Sequence, residues 1–225
     1  MSISALFLFG SRARGDHSSS SDIDLLAASD VSEPTVTGMG PATLYHYSTD
    51  WLATKAGQGD LFVWHIISEA LAIFDPDDIL VELQEVFQFA PSYADEISKA
   101  SDVGWAIVSL WNELSAASIN RRLAWSVRTI AIARAAASQT PAFSARALSE
   151  VLEHPNLIPL VERKDKSELS KKSRYDFMGF LREFGLPRRD GEINSIGQYS
   201  SYFRETGNNV GLKLLEVSTA IAGYD

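Results

Sequence analysis

Two carboxylates, Asp22 and Asp24, follow a Gly10-Ser11 pair, with ten residues between Ser11 and Asp22. The spacing Gly-Ser-x10-Asp-x-Asp suits metal-assisted phosphoryl chemistry. Residues two apart on a strand project to one face, so the two acids share a face. Two hard carboxylates side by side repel unless a divalent cation lies between them. Oxygen ligands completed by substrate phosphates are the usual magnesium arrangement. A glycine turn lets backbone N–H groups and the Ser11 hydroxyl come close to a phosphate. The short turn after it can open a helix whose N-terminal end favours the same anion. Arg12 and Arg14 can balance triphosphate charge, and Ser21, next to the carboxylate strand, completes the nucleotide-binding candidates.

The elements that must position these residues follow from the patterning. Residues 3–9 predict a first strand and residues 22–28 a second, with the polar loop His17–Ser21 between them. A Pro/Gly-containing loop is expected over 32–41 and a third strand over 42–47. Ser48 or Thr49 can cap a helix through Lys55, and Gly57-Gln58-Gly59 breaks it. Residues 60–71 are apolar at helical spacing, and Ala72-Ile73-Phe74 predicts a short strand closed by Asp75-Pro76. Beyond residue 77 the pattern is helical. Leu80, Leu83, Val86 and Phe87 form one stripe, and helices are expected over 93–115, 118–138, 144–153, 167–184 and 209–222. The fold class is therefore α+β. A mixed-sheet domain is expected over residues 1–90 and a helical bundle over 91–225.

The chain has 225 residues, of which 45% are hydrophobic and 22% charged, as in soluble globular proteins. It has no cysteine, which excludes disulfides and thiolate zinc sites. No basic segment precedes the first apolar run and no run is long enough for a membrane span, so a cytoplasmic protein without a signal peptide is expected. The net charge of −9 argues against broad nucleic-acid binding. Basic residues nevertheless cluster at Arg121, Arg122, Arg128 and Arg134, from Arg163 to Lys172, and at Arg188-Arg189. Arg121 and Arg128 are seven apart and share a helix face, where arginine forks suit phosphates or carboxylates of an acceptor. Trp105, Trp111 and Trp125 recur within apolar helices and are expected in the core.

Residues 6–26 resemble the nucleotidyltransferase superfamily of DNA polymerase β and kanamycin nucleotidyltransferase, and within it the minimal nucleotidyltransferases. The resemblance is carried by the apolar strand, Gly10-Ser11, Arg12, Ala13-Arg14-Gly15 and Ser21-Asp22-Ile23-Asp24-Leu25. It implies a mixed sheet, Mg2+ (up to two ions) held by Asp22 and Asp24, and transfer of a nucleoside monophosphate from a nucleoside triphosphate, with ATP the expected one. Residues 59–66 and Phe74-Asp75-Pro76 also resemble this branch, and His65 there reads as a hydrogen-bonded core histidine.

The chain departs from that pattern in two places. Active members carry a third carboxylate on the third core strand. Here residues 42–48 offer only Tyr45, His46, Tyr47 and hydroxyls, and spacing favours neither Asp30 nor Asp60 as a substitute. His46 is a candidate base or phosphate contact if it faces the two acids. The helix that often precedes the first strand in the family is also missing. Two functions follow. One is a magnesium-dependent nucleotidyltransferase with a protein, small-molecule or RNA acceptor. The other is a catalytically weakened nucleotide-binding module, or an antitoxin-like protein that neutralises a partner.

Overall fold

The computed structural model describes residues 3–19, 21–188 and 193–219. Ser20 of the polar loop, Arg189 of the basic pair and residues 220–222 of the last expected helix lie outside the described residues. The chain forms two compact units, residues 1–91 and 92–225. Together they give an α+β protein, a mixed sheet followed by helices.

The first unit is built on five strands: β1 (Ile3–Phe9), β2 (Ile23–Ser29), β3 (Thr35–Met39), β4 (Ala42–Tyr47) and β5 (Leu71–Phe74). Their order in the sheet is β3-β4-β2-β1-β5. β1 runs antiparallel to both β2 and β5, β2 runs parallel to β4, and β3 is antiparallel to β4. The alternation along β1 buries Ala5, Phe7 and Phe9, and the register sets Leu26 and Ala28 of β2 on the same face. Helices α2 (Thr49–Gly57), α3 (Leu61–Glu69) and α4 (Ile79–Val86) cover that face with Leu52, Ala56, Val63, Ile66, Ile79 and Leu83.

Side chains set the helix starts. The Ser48 hydroxyl accepts from Trp51 N–H at 3.1 Å. Asp60 accepts from Phe62 and Val63 N–H at 2.9 and 3.2 Å, and Asp75 from Ile79 and Leu80 N–H at 2.8 and 3.0 Å.

Two expectations for this unit need correction. Residues 32–41 are not all loop, because Thr35–Met39 is an edge strand. Thr-Val-Thr favours a strand, and an edge tolerates the glycine that reads as a breaker in sequence. On α4 the buried pair is Ile79 and Leu83, while Val86 is exposed.

The second unit is helical: α5 (Ala94–Ser109), α6 (Ala116–Ala137), α7 (Ala145–Val151), α8 (Leu157–Val161), α9 (Lys171–Phe184), α10 (Ile196–Glu205) and α11 (Asn209–Thr219). α6 is its spine, buried along Ile119, Leu123, Val127 and Ile130. Asn120, fully buried on α6, donates to the carbonyls of Lys166 and Glu168 and accepts from Arg163 Nε at 2.7 Å. Trp105 and Trp111 are buried, and Trp125 is half-buried. The expected helix over 93–115 stops at Ser109, and the one over 167–184 starts only at Lys171. α8 and α10 have no counterpart among the expected helices. α10 carries a capping box, Ser195 with Gln198, a signal legible in the sequence.

Candidate active site

β1 delivers the chain to Gly10, whose φ of 74° and ψ of −152° suit glycine alone. A Cβ built there would stand 2.9 Å from Asp24 Oδ2. Glycine is thus required twice, for the backbone sign and for the room it leaves beside the Asp24 carboxylate. Ser11–Arg14 then form a single helical turn, α1, closed by Gly15 at φ 79°.

Asp24 lies in β2, paired with Phe9 of β1 on one side and Thr43 of β4 on the other. Asp22 is exposed and immediately precedes the strand. Among the described residues no group of three or more His, Asp or Glu side chains is arranged to hold a metal ion. The two acids still fit the demand of magnesium, which is commonly held by one or two carboxylates plus substrate phosphates. The Gly10 backbone lies directly against one of them, Asp24.

The two arginines of the motif are engaged within the protein. Arg12 Nη2 donates to the Ser21 carbonyl at 2.9 Å, fastening α1 to the residue before Asp22, and its buried Nε has no hydrogen-bond partner. Ser21 closes the polar loop locally, since its hydroxyl accepts from Ser18 N–H at 3.0 Å and its N–H donates to the Ser18 carbonyl. Arg14 donates to Glu69 Oε2 at 2.5 Å and to Asp16 at 3.2 Å. The same Glu69 oxygen receives His65 Nε2 at 2.7 Å, with both side chains 13% exposed. A carboxylate only accepts, so Nε2 carries the proton. The His65 ring also meets the Phe9 ring edge-on at 5.6 Å. His65 therefore has the hydrogen-bonded place expected of it. Glu69 was missed: it stands 55 residues from Arg14, and no local pattern joins the two.

Register decides which side chains of β4 accompany Asp24. Thr43 pairs with Asp24, Tyr45 with Leu26 and Tyr47 with Ala28, so threonine and the two tyrosines share the Asp24 face. His46 pairs with Ala27 on the opposite face, where its Nε2 bonds the Ser29 hydroxyl. Tyr47 stacks on Trp51 at 4.4 Å. Burial, and secondly the Asp60 charge, push the Tyr47 phenol above its usual range. Asp60 is engaged at the start of α3, where its carboxylate accepts from Phe62 and Val63 N–H. Asp30 lies beyond the far end of β2, six residues and so ~20 Å from Asp24.

The remaining candidates, Arg121 and Arg128, belong to α6 of the second unit. Arg128 Nη2 donates to the Phe143 carbonyl at 3.2 Å. Arg121 is exposed.

Among the described residues no helix is long and apolar enough to cross a membrane. The search of curated proteins found no match. Among solved structures, the nucleotidyltransferase-like protein from Exiguobacterium sibiricum 255-15 is similar at 15% identity and a TM-score of 0.34, over 90% of this chain and 73% of that one. The family model described as "Nucleotidyltransferase domain" matches residues 2–100, a stretch that includes the glycine turn, both acids and the covering helices. Residues 2–100 are thus a nucleotidyltransferase domain of the DNA polymerase β-like superfamily.

Proposed function

We propose that this domain transfers a nucleoside monophosphate from a nucleoside triphosphate, ATP being the expected donor, to a hydroxyl acceptor in a magnesium-dependent reaction. The observation that carries the reading is the close approach of the Asp24 carboxylate to the Gly10 backbone, so tight that a Cβ there would fall 2.9 Å from Oδ2, which sets the glycine turn and an acid of the motif side by side. Asp22 and Asp24 would hold the metal, which supplies charge neutralisation and activation of the acceptor oxygen. In the reaction the acceptor oxygen bonds the α-phosphorus, the bond from that phosphorus to the β-phosphate oxygen breaks, and pyrophosphate leaves. The hydroxyl proton passes to a base. Gly10 and Ser11 give the β- and γ-phosphates access to backbone. Arg12 acts from behind, holding the loop that carries Ser21 and Asp22.

The acceptor proton has no strong base on β4. Tyr45 and Tyr47 share the Asp24 face, and phenols stay protonated near neutrality. We therefore expect slow transfer, or transfer completed by a partner. The acidic chain suits a protein acceptor or a cationic small molecule better than an RNA end. The same observation supports the second reading, a nucleotide-binding module that neutralises a partner without turnover. Incubation with α-labelled triphosphates and magnesium separates the two. Pyrophosphate release with label on an acceptor supports transfer. Bound nucleotide without pyrophosphate supports the module, and no nucleotide binding removes both.

A further inference from the structure

The second unit contains a concentration of positive charge that the nucleotidyltransferase motif does not account for. At the start of α6, Ser115, Ala117, Ser118, Arg121 and Arg122 line a cavity of ≈150 Å3 together with Lys213 of α11. Among the described residues none of these three cations forms an ion pair with a carboxylate, although the protein carries a net charge of −9. Other arginines of the unit are engaged within the protein. Arg128, Arg134 and Arg174 donate to the carbonyls of Phe143, Phe184 and Val108.

The backbone adds to the imbalance. α6 is the longest helix, its first turn contains no acid, and the Ser115 hydroxyl accepts from Ser118 N–H. Ser115 at the cap and Ala117 and Ser118 in the first turn line the cavity, where the positive end of the helix favours an anion. Burial, and then the neighbouring Arg121 charge, pull the Arg122 guanidinium below its usual range, the direction expected of a cation lacking a counter-ion.

We infer that this cavity is a binding site for the phosphate group of a small phosphorylated molecule, held by Arg121, Arg122 and Lys213 with hydroxyl donation from Ser115. Its volume is below the ~300–1,000 Å3 of pockets that enclose a whole ligand, so it takes the phosphate end and leaves the rest outside. Arginine forks match phosphate oxygens two at a time. The overall acidity of the chain disfavours a nucleic-acid backbone as the source. The site is independent of the chemistry proposed for Asp22 and Asp24.

The test is calorimetric titration of the full chain with inorganic pyrophosphate and inorganic phosphate at low salt, with EDTA present so that no metal-dependent site contributes. Saturable binding is expected, with a raised melting temperature. Arg121→Gln/Arg122→Gln should weaken it by about tenfold or more, while Asp22→Asn/Asp24→Asn should leave it unchanged. Should the double arginine variant fail to fold, the single variants Arg121→Gln and Lys213→Gln, both at exposed side chains, must each weaken binding. The inference is overturned by the absence of saturable binding, by equal affinity in the folded arginine variants, or by loss of binding in the aspartate variant. Displacement of pyrophosphate by a short single-stranded oligonucleotide of higher affinity would overturn the assignment to a small molecule.

Discussion

The charges that each unit sets close together are of opposite sign, acids in the first and cations in the second. In the N-terminal unit Arg12 is fastened to the Ser21 carbonyl and Arg14 to Glu69 and Asp16. Their bonds hold α1 in place, and the like charges close together in the sequence of that unit are the acids Asp24, in β2, and Asp22, which immediately precedes it. In the helical unit the gathered charges are cations, Arg121 and Arg122 with Lys213, while Arg128, Arg134 and Arg174 serve backbone carbonyls. A charge with a partner inside the fold contributes to stability. Like charges held together cost stability, and in both proposals above a ligand of opposite sign accounts for their place in the molecule. A residue's type therefore says less about its role than whether its charge is answered within the protein.

The comparison makes unequal predictions for the two kinds of charge. The largest effect is expected at the gathered acids. Asp22→Asn/Asp24→Asn should abolish metal-dependent triphosphate binding and lower any transfer rate by more than the ~10–100-fold typical of losing a supporting partner. The fold should remain intact by circular dichroism. Unchanged affinity in calorimetry with triphosphate and magnesium would remove these acids from the site.

The glycine turn comes next. Gly10→Ala should cost roughly 1–3 kcal/mol, because the new Cβ meets both an unfavourable backbone conformation and the Asp24 carboxylate. Ser11→Ala, free of that strain, is the cleaner probe: triphosphate binding should fall while the melting temperature stays within a degree or two of wild type. Full binding in Ser11→Ala would make the hydroxyl a bystander.

A tethered charge should act on stability first. Glu69→Gln takes the counter-charge from Arg14 and an acceptor from His65, both mostly buried. We expect a loss of about 1–2 kcal/mol in chemical denaturation, with any change in nucleotide affinity following from a loosened α1. A variant as stable as wild type would show that Arg14 is not a tether.

The smallest effect concerns Tyr47. Its raised phenol means that the unfolded chain ionises first as pH climbs past about 10. The folded protein then holds the extra proton, so the stability is complete below that pH and is lost as pH rises through the folded value. Melting temperature should therefore fall more steeply above about pH 10 in wild type than in Tyr47→Phe, and parallel curves would refute the assignment.

Much of the site's framework could be read locally. A strand of alternating burial, a glycine turn and two acids at i and i+2 follow from spacing alone, because strand alternation and glycine's freedom depend on neighbours in sequence. The same holds for the caps at Ser48, Asp60 and Asp75. Three features needed the tertiary structure. The sequence leaves open whether His46 or the tyrosines accompany Asp24, since alternation gives two sets and only the parallel register with β2 selects one. The strand Thr35–Met39 forms because β4 offers it an edge; Thr-Val-Thr favours a strand, but Pro34 and Gly38 beside it read as loop. The partners of Arg14 and of Arg121 were likewise decided by packing. Glu69 is 55 residues from Arg14, and Lys213 reaches the start of α6 from another helix. Sequence determines what each stretch can form and which residue types could do chemistry. Which charges are answered within the protein depends on contacts between distant segments that only the folded chain brings together.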